Sequence, residues 1–191
     1  MTDIYNSLQL LTVLSPFFLS IFFILISIFN KSIKGVIYLG GVLIGSLIWK
    51  LIQVISGVPQ SKNPSCSFYF MGSFPSYNSY FISFTAIYIL LPMITNNNIN
   101  WGLFTFFLTL MGLDSYFYTT NKCSNSGWGP AVGMLIGIIC GGIWYAIFKG
   151  AGLSEMLFFD EISSNKQSCS RPNRQTFKCK VYKKGVLVNT L

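Results

Sequence analysis

The amino-acid sequence predicts an all-α, multi-pass transmembrane helical bundle of about five spans over residues 1–149, followed by a small basic soluble tail over residues 150–191. Composition is the first reason: of 191 residues 52% are hydrophobic, 17% aromatic and only 9% charged, with a mean hydropathy of +0.56. That is too apolar and too poor in charge for a soluble domain. Long uncharged runs are the second, because about 20 apolar residues at about 1.5 Å each cross about 30 Å of hydrocarbon. The third is charge placement: the net charge is +8, and residues 150–191 hold seven Lys/Arg against three Asp/Glu. Such a tail suits an anionic bilayer surface.

The first span is Leu8 to Phe29, which contains no charged residue. It lacks the basic start, short apolar run and small-residue cleavage site of a signal peptide, and is expected to stay in the mature chain. Asn30 to Lys34 forms a short basic loop, and Val36 to Ile55 is the second span, with Gly41 and Gly45 spaced for close helix approach and Lys50 near its far end. Ser56 to Ser73 holds Gly57, Pro59, Pro64 and Cys66, a density of breakers that makes it a loop. The third span runs from about Ser76 to Thr95, and Asn96 to Asn100 is a polar turn. Trp101 opens the fourth as an interfacial aromatic, and it continues to about Tyr118 with Asp114 near its end. After a second long loop, Thr119 to Gly129, the fifth span runs from Pro130 to Phe148. Its Gly133, Gly137 and Gly141 recur every four residues and form a small-residue packing face.

Five spans put the two termini on opposite sides. Lys31, Lys34, Lys149 and the basic tail share one side, against Asp3, Lys62 and Lys122 on the other. The positive-inside rule therefore places the N-terminus outside or luminal and the tail in the cytoplasm, of an endoplasmic-reticulum-type or a virion membrane. Within the tail, Thr176 to Tyr182 alternates and Val186 to Val188 returns after a turn ending at Gly185, a β-hairpin pattern for which a disordered basic tail is the alternative. The chain has five cysteines, no close Cys-x-x-Cys pair and no His, so no metal or cofactor is expected, nor is nucleic acid a partner. Cys66 and Cys123 lie in the two outward loops, where an oxidising compartment permits a disulfide; unpaired thiols are the alternative.

The stretch Gly72 to Tyr88 is a polar Pro-Ser turn running straight into an apolar span. Pro75 fits an early helix turn, and Ser76, Asn78 and Ser79 can cap a helix N-terminus, where backbone N–H groups and the helix dipole favour an anion such as phosphate. An ordinary capped span has the same pattern.

Three segments in this order carry a family resemblance: Trp49-Lys50 through Val58-Pro59, then Phe74-Pro-Ser-Tyr-Asn-Ser79 opening a span, then Ser126-Gly-Trp-Gly-Pro130 opening a Gly-rich span. Over roughly residues 36 to 148 the layout resembles the type 2 phosphatidic acid phosphatase superfamily, nearest to its dolichyl-diphosphatase branch. The resemblance implies a helical membrane bundle, and a lipid ligand such as a phospholipid or polyprenyl phosphate. In that family a third-signature His attacks phosphorus, an Asp orients it, a second-signature His protonates the leaving group, and Lys and Arg hold the phosphate. Here Asn78 stands at the second-signature His, Tyr77 at the Gly before it and Val58-Pro59, shifted by one, at Arg-Pro; Gly127 and Ala131 stand at the nucleophile and its Asp. Only Lys50, Pro75, Ser76 and Ser79 match in kind. The richness in Asn, Ile, Phe, Ser and Lys resembles proteins of large DNA viruses with internal membranes, a bias that an A+T-rich cellular genome shares.

Losing a general acid costs about 10²- to 10⁴-fold, and losing the nucleophile removes the covalent route to a reaction that needs up to about 10²¹-fold acceleration. The expectation is therefore a catalytically silent, phosphatase-like membrane protein with a structural, lipid-binding or interaction role and no catalytic residue. The alternatives are a divergent lipid phosphate or diphosphate phosphatase and, more weakly, a channel or transporter. Lys50, Pro75, Ser76, Asn78, Ser79, Asp114 and Lys122 are the candidates for phosphate or lipid contact. Lys50 and Asp114 lie at similar depth in their spans, which predicts an ion pair closing the vestigial pocket, against the alternative in which Lys50 snorkels and Asp114 bonds nearby hydroxyls.

Overall fold

The structure, a computed structural model, describes residues 2–58, 66, 74–123, 127–153, 156–158, 180–183 and 186–190. The expectations placed on Pro59, Lys62, Pro64, Ser126 and most of the basic tail lie outside these residues. Six helices account for nearly all of it: α1 (Thr2–Val13), α2 (Ser15–Phe29), α3 (Lys34–Ser56), α4 (Tyr77–Thr95), α5 (Trp101–Thr120) and α6 (Gly129–Gly150). Two short strands, β1 (Lys180–Lys183) and β2 (Val186–Thr190), pair antiparallel with Lys180 opposite Thr190 and Lys183 opposite Val186, and the register shifts between Val181 and Tyr182.

Among the described residues α3, α4 and α6 are each long and apolar enough to cross a membrane, and α1 with α2 makes a fourth if the bent pair is one span. The expected first span is broken: α1 and α2 meet at Leu14 at an angle of 56°. Its cause is Pro16, which has no N–H to give to the carbonyl of Thr12. The helix α5 does not reach the same apolarity, because Asp114, Ser115 and Tyr116 dilute its second half.

Helix α4 is the axis of the bundle, buried along most of its length and surrounded by α2, α3, α5 and α6. Its aromatic residues make a column in which Tyr77 meets Trp49 of α3 at 5.1 Å, and Tyr88 meets Tyr38 of α3 at 5.7 Å. The Tyr38 hydroxyl bonds Thr85 Oγ1 at 2.8 Å, so this buried polar group is satisfied inside the core. The outer faces of α2, α3 and α6 leave large apolar side chains exposed, among them Phe22, Leu47, Val54, Leu135 and Ile143. That pattern, apolar outside as well as inside, is how a helix bundle meets hydrocarbon rather than water.

The closest packing joins α4 to α6, which run parallel. Gly133, Gly137 and Gly141 face α4: a β-carbon built on Gly133 would lie 3.2 Å from Tyr80 N, one on Gly137 2.8 Å from Phe84 N, and one on Gly141 2.8 Å from Phe84 O. No side chain fits between the two backbones, so the four-residue glycine spacing serves contact, as expected from the sequence. Past α6 the chain turns back, and Leu157 and Phe158 enter the core beside Phe23. Packing of the bundle thus extends beyond residue 149.

Candidate functional site

The N-terminus of α4 carries the candidate site. The Phe74–Pro75 peptide is cis, Pro75 is buried, and Ser76 is the N-cap of α4, its Oγ accepting from Ser79 N–H at 3.3 Å. Ser76 N–H donates in turn to Gly129 O at 3.0 Å, tying the start of α4 to the start of α6. Ser76, Asn78 and Ser79 are all fully buried.

Asp114 of α5 lies at this same N-terminus. It is fully buried, and its Oδ2 accepts from both Ser79 Oγ and Ser76 Oγ, the latter at 3.4 Å. The place where a helix dipole, a capping serine and a second hydroxyl favour an anion is thus taken by a carboxylate of the chain itself. Asp114 has no lysine or arginine within ion-pair distance among the described residues.

The expected pairing of Lys50 with Asp114 is corrected by these contacts. Lys50 is exposed on α3 and its Nζ donates to Gln53 Oε1 one turn further on, while Asp114 bonds the two serines. Helix α5 packs on α1, α4 and α6, whereas α3 packs on α2, α4 and α6, so equal depth does not make the two residues neighbours. Lys122 is exposed in the turn after α5 with a φ of 49°, and Gly127 and Ala131 are exposed around the start of α6. None of Lys50, Lys122, Gly127 and Ala131 is among the partners of Asp114. The structure assembles Ser76, Asn78, Ser79 and Asp114 beside Pro75, and leaves the remaining candidates outside that cluster.

Asn78 has a structural task that the sequence did not disclose. Pro16 leaves the Thr12 carbonyl without its helical donor, and Phe17 N–H bonds Leu14 O at 3.0 Å in place of Val13 O. The Asn78 Nδ2 donates to both freed carbonyls, to Thr12 O at 3.2 Å and Val13 O at 3.5 Å. A broken helix is tolerated inside a protein where other groups re-satisfy its backbone, and here one amide does so. Asn78→Ala should cost about 1–3 kcal/mol, the desolvation penalty of buried carbonyls left unpaired. In a Pro16→Ala background residue 16 regains its N–H, and the same substitution should cost clearly less. Equal losses in the two backgrounds, measured by thermal unfolding as a double-mutant cycle, would show that Asn78 does not serve the break.

Two cysteines staple the same end. Cys66 and Cys123 are disulfide-bonded with Cα atoms 5.4 Å apart, buried against Val13 and Tyr118. Cys140 of α6 is a free thiol. No cluster of three or more His, Cys, Asp or Glu able to hold a metal ion occurs among the described residues.

Fold and site together define a predominantly helical protein of membrane-spanning character with a polar cluster buried at the head of its central helix. No protein family, curated protein or solved structure matches this chain.

Proposed function

We propose that this chain is an integral membrane protein with the layout of a type 2 phosphatidic acid phosphatase but without hydrolase activity, serving a structural, lipid-binding or interaction role. The observation that carries the reading is Asp114, whose carboxylate takes the hydroxyls of Ser76 and Ser79 at the N-terminus of α4. A phosphate entering there would meet a like charge, and Asn78 is engaged with the Thr12 and Val13 carbonyls. No His exists anywhere in the chain to act as nucleophile or acid, and the exposed Gly127 and Ala131 offer neither.

Five spans, α2 to α6 with α1 angled at the head of the bundle, suit the alternation of chain direction between successive helices. The Cys66–Cys123 bond favours an oxidising compartment at that end, and Lys31, Lys34 and Lys149 at the other favour the cytoplasm, with the basic tail against an anionic leaflet. Lipid contact is supported by an apolar groove of about 500 Å³ between α1–α2 and α5, lined by Leu11, Phe18, Phe22, Leu103, Phe106 and Leu110. Its volume lies in the range of small-ligand sites, about 300–1,000 Å³, and its lining is suited to a hydrocarbon chain.

Anion binding tests the closed site. Equilibrium dialysis of the purified chain against inorganic phosphate and tungstate at physiological salt should show no saturable binding that depends on Ser76 and Ser79. Saturable binding lost in Ser79→Ala would reopen the site as a phosphate pocket and favour a divergent phosphatase.

A further inference from the structure

We infer that Asp114, Asn78, Ser76 and Ser79 form a binding site for a small monovalent cation, for which sodium is the probe. The starting point is a pair of oxygens. Asp114 Oδ1 and Asn78 Oδ1 are both buried and both without a hydrogen-bond partner, although each residue is fully enclosed. The Asn78 amide also lies within hydrogen-bonding reach of the Asp114 carboxylate, which places the two side chains side by side. Every other polar atom on them is engaged: Asp114 Oδ2 with the two serine hydroxyls, Asn78 Nδ2 with the Thr12 and Val13 carbonyls.

What the cluster lacks is positive charge. The two serine hydroxyls and the α4 dipole offset the Asp114 charge only in part, and Asp114 has no Lys or Arg partner among the described residues. Its surroundings supply oxygen alone: one carboxylate, one amide carbonyl and two hydroxyls, with no imidazole or thiolate. Such a set suits a hard cation. Charge selects the valence, because one positive charge neutralises Asp114 whereas a divalent ion would leave a net positive charge buried in apolar surroundings. The positive end of the α4 dipole at Ser76 adds to that penalty. Lys50 is committed to Gln53 on another helix, and Lys122 is exposed in the turn after α5.

This inference is independent of whether the protein hydrolyses lipid phosphates. It is tested on the full chain in detergent by thermal unfolding at constant ionic strength, with sodium chloride exchanged stepwise for choline chloride. Sodium should raise the Tm by a few degrees along a saturating curve, the signature of an ion that binds the folded state, and Asp114→Asn should abolish the dependence. Because that variant can fold poorly, ²³Na NMR on the wild-type chain gives a second readout: excess line broadening over a detergent blank, relieved by lithium competition. A Tm identical in sodium and choline, with ²³Na linewidths equal to the blank, would overturn the site and assign the two oxygens to a bound water. A sodium effect that persists unchanged in Asp114→Asn would overturn it equally.

Discussion

Gly137→Ala should destabilise the bundle by on the order of 3 kcal/mol, at the upper end of what a single added methyl costs in a packed core. The new β-carbon would lie 2.8 Å from the backbone nitrogen of Phe84 and press on Tyr80 O and the Ser83 hydroxyl. Backbone cannot swing aside as a flexible side-chain tip can, so α6 must move away from α4. The loss would spread along Gly133 and Gly141, which make the same close approach one turn either side. Gly142→Ala is the control, on the same helix with nothing within 4 Å of its added β-carbon, and should stay within about 0.5 kcal/mol of the parent chain. Thermal unfolding followed by size-exclusion recovery compares the two. Equal stability of Gly137→Ala and Gly142→Ala would remove the glycine face from the account of how this bundle holds together.

Reducing or deleting the Cys66–Cys123 bond should lower stability by as much as about 4 kcal/mol, the chain-entropy value for a closed loop spanning 57 residues. That loop contains all of α4 and α5, so the bond limits how far the head of the bundle can open. Its neighbours Val13 and Tyr118 connect it to α1 and to the turn of α5 below the site. Cys66→Ser with Cys123→Ser should therefore lose Tm in the absence of reductant, and the parent chain should lose the same amount when reductant is added. Cys140→Ser should change little, since that thiol is free. Non-reducing peptide mapping in which Cys66 and Cys123 both react as free thiols would contradict the pairing.

Much of the helical layout was legible because hydropathy and breakers act locally. The bounds of α3, α4 and α6 follow from apolar runs ended by Gly57, by the Asn96–Asn100 turn and by Gly150–Gly152, and the glycine spacing on α6 announced a packing face. The break at Leu14 also had a local signal in Pro16, overshadowed by the unbroken apolarity around it. What the sequence could not give was azimuth. Lys50 and Asp114 are a similar number of residues from the ends of their apolar runs, yet position along two helices says nothing about which faces meet, and packing on α4 turns Asp114 to Ser79. The role of Asn78 was hidden for the same reason. A freed carbonyl at Thr12 can be foreseen from Pro16, but the side chain that reaches it comes from a helix more than sixty residues away.

The serines at the head of α4 show how one pattern serves two ends. A capped helix N-terminus invites an anion whether that anion arrives as a lipid phosphate or is built in as a carboxylate. Here the built-in group makes the cap part of the fold, with Ser76 joined to Gly129 as well as to Asp114.

Hydrolysis of a panel of lipid phosphates and diphosphates by the purified chain is the measurement that bears most directly on the central claim. Phosphate release should equal that of the detergent blank and should be unchanged in Ser76→Ala. Turnover well above the blank that disappears on Ser76→Ala would contradict the account and make this chain an enzyme.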